Sequence, residues 1–260
     1  MNKPALITGA SSGIGYQLAE LCAADKHDLI LVARRIKELD ELKEKLEKKY
    51  AIQIKTISKD LSLPSSPSEI HEILLEEGIV PEILINNAGF GDFSDFKNTD
   101  PTTNDNMIRV NVLALTQLTR FFIEDMIKNK KGGILNVAST ASFQPGPLMS
   151  VYYASKSYVL SFSEALAEEL KNTGISVTAL CPGPTETEFQ ETAGMEKSKL
   201  FKRLSVMSPA KVAQIGYKGL KKGKRVVIPG SMNKMLTTSI RFTPRSIVSK
   251  IVKRMQESES

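Results

Sequence analysis

The start of the chain restricts the fold more than any other feature. A short apolar run, Lys3-Pro-Ala-Leu-Ile-Thr8, is followed by Gly9-Ala-Ser-Ser-Gly13-Ile-Gly15 and then by a helical pattern from Tyr16 to Ala24. A strand, a glycine turn and a helix suit a bound phosphate, because glycines let the backbone approach it and the helix start offers free N–H groups. The spacing is not the usual Gly-x-Gly-x-x-Gly of dinucleotide sites, so an ordinary glycine-rich turn stays an alternative.

Strand and helix patterns then alternate along the 260 residues. Apolar runs predict strands at 29–33, 52–57, 83–85, 133–138 and 175–181. The segment Ile36 to Tyr50 has apolar residues at helical spacing among charges, which predicts an amphipathic surface helix. This alternation predicts an α/β fold with a doubly wound parallel sheet (Rossmann fold) in a single domain, residues 1–260.

Polar and glycine residues follow three of these runs where each predicted strand ends. Asn86-Asn-Ala-Gly89, Ser139 and Pro182-Gly183 hold these positions. In open parallel sheets that edge binds ligands. Any one of these residues could cap a helix or form a turn, but their coincidence on one edge favours a binding site.

A tyrosine and a lysine lie one helical turn apart in Val151-Tyr-Tyr-Ala-Ser-Lys156. A phenol has an ordinary pKa of about 10 and is a poor acid at neutral pH. An ammonium group on the same helix face favours the phenolate, so Lys156 is predicted to lower the pKa of Tyr152. The spacing alone arises often by chance in amphipathic helices.

Taken together, these motifs resemble those of the classical short-chain dehydrogenase/reductases over nearly the whole chain. The resemblance rests on Thr8-Gly-Ala-Ser-Ser-Gly-Ile-Gly15, Asn86-Asn-Ala-Gly89, Asn111, Ser139, Tyr152-x-x-x-Lys156, and Pro182-Gly183 with Thr187. The stretch from Gly223 to Gly230 is also similar to a bacterial subgroup of NADP-dependent reductases. The resemblance implies an oxidoreductase that interconverts a carbonyl and a secondary alcohol by hydride transfer.

The resemblance also implies roles for four catalytic residues. Tyr152 is expected to be the proton donor or acceptor, and Lys156 to lower its pKa and bind the nicotinamide ribose. Ser139 is expected to bind the carbonyl oxygen and stabilise charge developing there. Asn111, in a helix-like run from Met107 to Phe121, is expected to hold a water that links Lys156 to solvent.

Cofactor contacts are implied in the same way, beside those of Tyr152 and Lys156. The glycine turn is expected to bind the phosphates, the ends of the third and fourth strands the adenosine, and the Pro-Gly segment the nicotinamide. The residues are Gly9, Ser11, Ser12, Gly13, Ile14, Gly15, Asp60, Leu61, Asn87, Gly89, Pro182, Gly183, Thr185 and Thr187.

The choice of cofactor follows from the end of the second predicted strand, which leads into Arg34-Arg35. An NAD site usually carries an acidic residue there, whereas arginine accommodates a 2′-phosphate and pairs with it in a bidentate way. The sequence therefore predicts NADP(H). An exposed arginine pair in a solvated loop is the alternative.

Two later segments depart from the alternation. Residues from about 185 to 208 carry scattered methionines and phenylalanines and are predicted to form a mobile lid over an apolar ketone or acyl-type carbonyl. The same side chains could pack on the core or on a neighbouring subunit. The segment from about 231 to 256 ends in a basic amphipathic helix, which could contact an anionic membrane surface, close the pocket or pack across a dimer interface.

Composition excludes several other classes. The net charge is +6, but there is no basic–aromatic module, so no nucleic-acid partner is expected. No residue cluster predicts a metal, and neither His27 nor His71 lies near Ser139 to build a hydrolase triad. Cys22 and Cys181 are expected to be reduced core residues of a cytoplasmic protein, with no targeting segment before the first strand. A small-molecule substrate and a homodimer or homotetramer are implied, with a non-catalytic NADP-sensing or scaffold protein as the alternative function.

Overall fold

A computed structural model describes residues 1–194 and 206–256 of the chain. Seven parallel strands form one sheet in the order β3-β2-β1-β4-β5-β6-β7. The strands are β1 (Ala5–Thr8), β2 (Leu29–Ala33), β3 (Ile54–Ser58), β4 (Ile83–Asn86), β5 (Gly132–Val137), β6 (Ile175–Leu180) and β7 (Val226–Val227).

Helices connect these strands and cover both faces of the sheet. They are α1 (Gly13–Ala24), α2 (Ile36–Tyr50), α3 (Ser66–Glu76), α4 (Pro101–Ile108), α5 (Leu115–Lys128), α6 (Ser150–Glu169), α7 (Phe189–Thr192), α8 (Pro209–Lys221), α9 (Ser231–Ile240) and α10 (Arg245–Gln256). Short 3-10 turns occupy Phe96–Asn98 and Thr140–Phe143, and a π-helical turn spans Arg109–Ala114.

Each face of the sheet has its own hydrophobic core, because successive side chains of a buried strand point to opposite faces. Leu31 of β2 joins a cluster with Leu18 of α1 and Leu39 of α2, whereas Ile30 joins a cluster with Ile70 of α3. All five are fully buried, and each such aliphatic side chain contributes roughly 1.5–3 kcal/mol to folding. The predicted doubly wound parallel sheet is confirmed.

The strand order places a crevice between β1 and β4. The chain runs outward from β1 to β2 and β3, then returns to form β4 on the other side of β1. The connections after β1 and β4 therefore diverge, which opens a space beyond the carboxyl ends of the strands. Thr8 and Asn86 end these two strands, so the glycine turn and the Asn-Asn-Ala-Gly segment both border that space.

Several predicted boundaries were wrong. α1 begins at Gly13 rather than Tyr16, because the last two glycines of the turn already form its first turn. The third strand spans Ile54–Ser58 rather than residues 52–57. The predicted helix from Met107 to Phe121 is interrupted by the π-helical turn. Of the predicted lid, residues 185–194 and 206–208 are described, whereas Met195, Leu200, Phe201 and Leu204 lie outside the described residues.

Candidate active site

The glycine turn after β1 is held in place by the loop after β4. The side-chain amide of Asn87 donates to the main-chain oxygens of Thr8 and Gly9, each at 3.0 Å. A side-chain carbon on Gly15 would lie 2.2 Å from the oxygen of Gly9, and Gly9 itself has φ +65°. Only glycine fits these two positions, so the turn presents its backbone and the start of α1 to the cavity, where an anion would be stabilised.

The catalytic edge is assembled by contacts between β5 and α6. Ser139 follows β5 and caps the 3-10 turn, accepting a hydrogen bond from the backbone N–H of Ala141 at 3.1 Å. Ser142 in that turn donates from Oγ to the main-chain oxygen of Lys156 at 2.7 Å. Lys156 donates from Nζ to the main-chain oxygen of Val137 at 2.8 Å. These bonds fix the middle of α6 against the end of β5, with Tyr152 and Ser139 facing the same cavity.

The protonation of Tyr152 differs from the sequence prediction. Burial raises the pKa of Tyr152 to about 12, and its hydrogen bond with Ser139 opposes this rise. Lys156 lies with Nζ 5.8 Å from the centre of the Tyr152 ring. Burial also lowers the pKa of the Lys156 ammonium to about 8. Loss of hydration therefore outweighs any effect of the lysine on the phenol, and the predicted lowering was wrong.

Asn111 lies in the π-helical turn, a deviation that often occurs at functional sites. It is 1% exposed. Its side chain donates to the oxygen of Phe90 at 2.9 Å and to Ser155 Oγ at 3.0 Å, and accepts from the N–H of Phe90 at 3.1 Å. Asn111 thus connects the loop after β4 to α6. If Gly89 in this loop carried a Cβ atom, that atom would lie 3.1 Å from Lys156 Nζ. The loop held by Asn111 is therefore next to the lysine.

The two arginines after β2 have different surroundings. Arg35 donates to Glu188 Oε2 at 2.9 Å and to Ser11 Oγ at 3.3 Å, and it also pairs with Glu38. Arg34 is exposed and makes no ion pair within residues 1–194 and 206–256. Both line the cavity near the glycine turn, at the position predicted to select the cofactor.

The segment after β6 closes over the glycine turn. Thr187 lies against Gly13, where a side-chain carbon would be 3.1 Å from Thr187 Cγ2. Thr185 donates to the oxygen of Gly183 at 2.9 Å and bridges to Met207. The ring of Phe189 packs 5.3 Å from that of Tyr152. Both threonines therefore border the region between the glycine turn and the catalytic edge.

One cavity of about 780 Å³ runs from the arginines to the carboxyl-terminal helices. Eighteen of the twenty predicted site residues line it; Gly15 and Asn111 lie behind its wall, at Gly9 and at Phe90. Beyond Tyr152 the wall becomes largely apolar. The residues there are Met149, Phe189, Leu236, Ile240, Val248 and Val252.

The inner side of α10 agrees with one of the three alternatives for the carboxyl-terminal segment, namely that it closes the pocket. Val248 and Val252 are 5% and 4% exposed and pack with Met149 and Tyr153. The segment therefore closes the far end of the cavity within its own chain. Ile247 and Ile251 of the same helix are about half exposed, so this contact accounts for one face only.

Sequence reasoning missed the polar contacts that depend on tertiary structure. Gln256, fully buried at the end of α10, donates to the hydroxyl of Tyr153 at 2.6 Å, and its own carbonyl oxygen makes no hydrogen bond within the described chain. Glu188 reaches Arg35 across the crevice. The only signal for the first contact was the position of Tyr153 next to Tyr152, and nothing indicated the second.

Comparisons with known proteins agree with this geometry. The family model for short chain dehydrogenase matches residues 3–198. The NADP-dependent 3-hydroxy acid dehydrogenase of Schizosaccharomyces pombe is 34% identical over 88% of this chain and 91% of its own. The very-long-chain 3-oxoacyl-CoA reductase-B of Danio rerio is 31% identical over 100% of this chain and 82% of its own. A solved short-chain dehydrogenase from Sphingobium yanoikuyae in complex with NADPH superimposes with a TM-score of 0.82 at 30% identity, covering 99% of this chain and 98% of that one.

Proposed function

The chain belongs to the short-chain dehydrogenase family, and on this premise we propose that it is an NADP(H)-dependent oxidoreductase that interconverts a carbonyl group and a secondary alcohol. The observation that carries the proposal is the convergence of Ser139, Tyr152 and Lys156 on one cavity that also contains the glycine turn. When bound, NADP(H) supplies or takes the hydride, and the protein supplies orientation and the proton.

The roles of the catalytic side chains follow from their protonation. Tyr152 keeps its proton at neutral pH, so it can donate that proton to the carbonyl oxygen during reduction. Ser139 interacts with the Tyr152 hydroxyl, so its own hydroxyl is placed to donate a hydrogen bond to the same oxygen. A charged Lys156 favours the phenolate left behind. The water relay through Asn111 stays a prediction.

The residues near the adenosine end fit NADP(H). Backbone groups of the glycine turn can hold the phosphates, since α1 carries no acidic residue in its first turn. Arg34 is exposed at the end of β2, where a 2′-phosphate is bound in dinucleotide folds. The named relative and the NADPH complex support the same cofactor.

We propose that the substrate is an apolar ketone or an acyl-type carbonyl. The wall beyond Tyr152 is mainly aliphatic and aromatic, and the polar side chains of Gln144, Thr237, Ser239 and Thr243 also line the cavity. A cavity of this size holds a molecule larger than a small aldehyde beside the cofactor. The similarity to a very-long-chain 3-oxoacyl-CoA reductase supports an acyl-type carbonyl.

A carbonyl panel tests the proposed function. We expect the protein to oxidise NADPH in the presence of long-chain or cyclic apolar ketones, with kcat/KM rising as the apolar part lengthens, because each buried methylene group contributes about 0.8 kcal/mol. The absorbance of NADPH measures turnover. Binding of NADPH without turnover of any carbonyl would contradict the proposed enzymatic activity and favour the NADP-sensing alternative. The presence of the complete set of catalytic residues argues against that alternative.

The pH dependence is expected to follow Lys156. Its ammonium is charged below a pKa of about 8 and neutral above it, so kcat/KM for NADPH should be level from pH 6 to 7.5 and fall above about pH 8. Burial of this lysine makes the folded state lose its proton before the unfolded chain does, so this group adds stability as pH rises above 8. Titration of Lys156 therefore does not unfold the protein as kcat/KM declines, and the far-UV circular dichroism should stay constant over this pH range. A level profile to pH 10 would contradict the role of the lysine.

Assembly into a homodimer or homotetramer is a further expectation from the family. Sedimentation measures it directly.

A further inference from the structure

The carboxyl-terminal helix pair, residues 231–256, carries the net charge of the whole chain. It contains six basic residues and no acidic residue, whereas the rest of the chain has as many acidic as basic residues and the total is +6. All six basic side chains are exposed, and none forms an ion pair with another described residue. They are Lys234, Arg241, Arg245, Lys250, Lys253 and Arg254.

The same helix pair also exposes apolar side chains. Of the sixteen large apolar residues that are more than a third exposed in the described chain, six lie in this segment, which is about a tenth of its length. Phe242, between the two helices, is 86% exposed and lies between Arg241 and Arg245. Met232, Met235 and Leu236 share one face of α9, and Ile247 and Ile251 share one face of α10, by helical spacing. Solvated surfaces usually scatter such residues, so this concentration indicates a contact.

Two of these residues link the exposed surface to the cavity. Leu236 and Ile251 line the cavity and are also 38% and 48% exposed, so they form part of its rim. The inner faces of both helices continue as the apolar wall beyond Tyr152. An apolar molecule held against the outer surface would therefore meet the mouth of the cavity without crossing open water.

We propose that the carboxyl-terminal helix pair docks on an anionic lipid bilayer, with Phe242 and the outward aliphatic side chains in the interface and the six cations on the headgroups. Basic side chains beside exposed apolar ones suit this partner, because anionic headgroups attract the first and the acyl region accepts the second. A two-fold contact with a second copy would set six cations against six cations without a single acidic partner in the segment. No helix of the described chain is long and apolar enough to cross a bilayer.

Sedimentation of the 260-residue chain with vesicles tests the docking. We expect binding to phosphatidylcholine vesicles that contain phosphatidylglycerol, little binding to phosphatidylcholine alone, and release by salt. Arg241→Gln with Arg245→Gln should weaken the partition coefficient by about fivefold for each charge removed. Phe242→Ser should weaken it without changing charge. The matched control is Lys211→Gln with Lys218→Gln, which removes two exposed charges from α8 and should retain most of the binding.

Three outcomes would overturn the docking: no binding to anionic vesicles, equal binding to both lipids, or equal weakening by the α8 control. Loss of a dimer in Phe242→Ser without any vesicle binding would assign the surface to a second copy instead. Vesicle binding is measured without NADPH or a carbonyl, so its failure is separate from a failure of the proposed function. Delivery of substrate from the bilayer does rest on that function. Phe242→Ser should then lower kcat/KM for a vesicle-borne long-chain ketone and leave that for a water-soluble diketone unchanged.

Discussion

Replacement of Tyr152 by phenylalanine is expected to reduce turnover by at least about a hundredfold and up to about ten thousandfold, the usual contribution of a positioned general acid. The ring itself is retained, and it packs 5.3 Å from the ring of Phe189, so the fold and the cavity wall should be unchanged. NADPH binding, measured by the fluorescence of the nucleotide, should stay near that of the unaltered protein. The effect should therefore appear in kcat and not in the affinity for the cofactor.

Tyr158→Phe is the matched control for this experiment. Tyr158 lies on the same helix, is 39% exposed, and shares a hydrogen bond of 3.0 Å with Thr116 Oγ1 outside the cavity. Removing its hydroxyl makes the same chemical change on α6 without reaching the substrate. Appreciable turnover by Tyr152→Phe, or an equal loss in the control, would contradict Tyr152 as the proton donor.

The sequence predicted the part of the site that local patterns specify. The glycine turn, Ser139 and the pair Tyr152 and Lys156 each follow or lie within an element whose periodicity is clear, and a parallel sheet brings strand ends to one edge. The doubly wound sheet followed from the same alternation. These positions are fixed by short-range chemistry together with one general rule of topology.

What the sequence did not predict depends on burial and on long-range contacts. The pKa of Tyr152 is set by the hydration that it loses, which spacing along a helix does not report. Asn111, in the π-helical turn, donates hydrogen bonds to Phe90 and Ser155, which are 21 and 44 positions away in the chain. Glu188 and Arg35 are 153 positions apart and meet only because the segment after β6 folds over the glycine turn. The inward face of α10 could be told from its outward face only from the contacts of Val248 and Val252 with Met149 and Tyr153.

Replacement of Arg34 by aspartate is expected to shift the cofactor preference from NADPH towards NADH. Arg35 is already held by Glu188 and Ser11, whereas Arg34 makes no ion pair within the described residues. All N–H groups on the outer edge of the Arg34 guanidinium can therefore pair with a 2′-phosphate. A hydrogen bond to a charged group contributes about 1.5–3 kcal/mol, so KM for NADPH should rise by at least about tenfold. The new carboxylate repels the 2′-phosphate and can accept a hydrogen bond from a 2′-hydroxyl, so KM for NADH should fall.

Arg120→Asp provides the matched control, because it makes the same charge change on α5 at a side chain that is 68% exposed and pairs only with the neighbouring Glu124 among described residues. It should leave both Michaelis constants unchanged. Initial rates with each cofactor at a fixed carbonyl concentration measure the shift. Unchanged constants in Arg34→Asp would contradict the assignment. A larger rise in KM for NADPH with Arg35→Asp would place the phosphate on Arg35 instead, where it would have to displace Glu188 from the guanidinium. Comparison of the two variants therefore decides which arginine selects the cofactor. The sequence alone leaves this open because the two arginines are adjacent, and the ion pair of Arg35 with Glu188 is what distinguishes them.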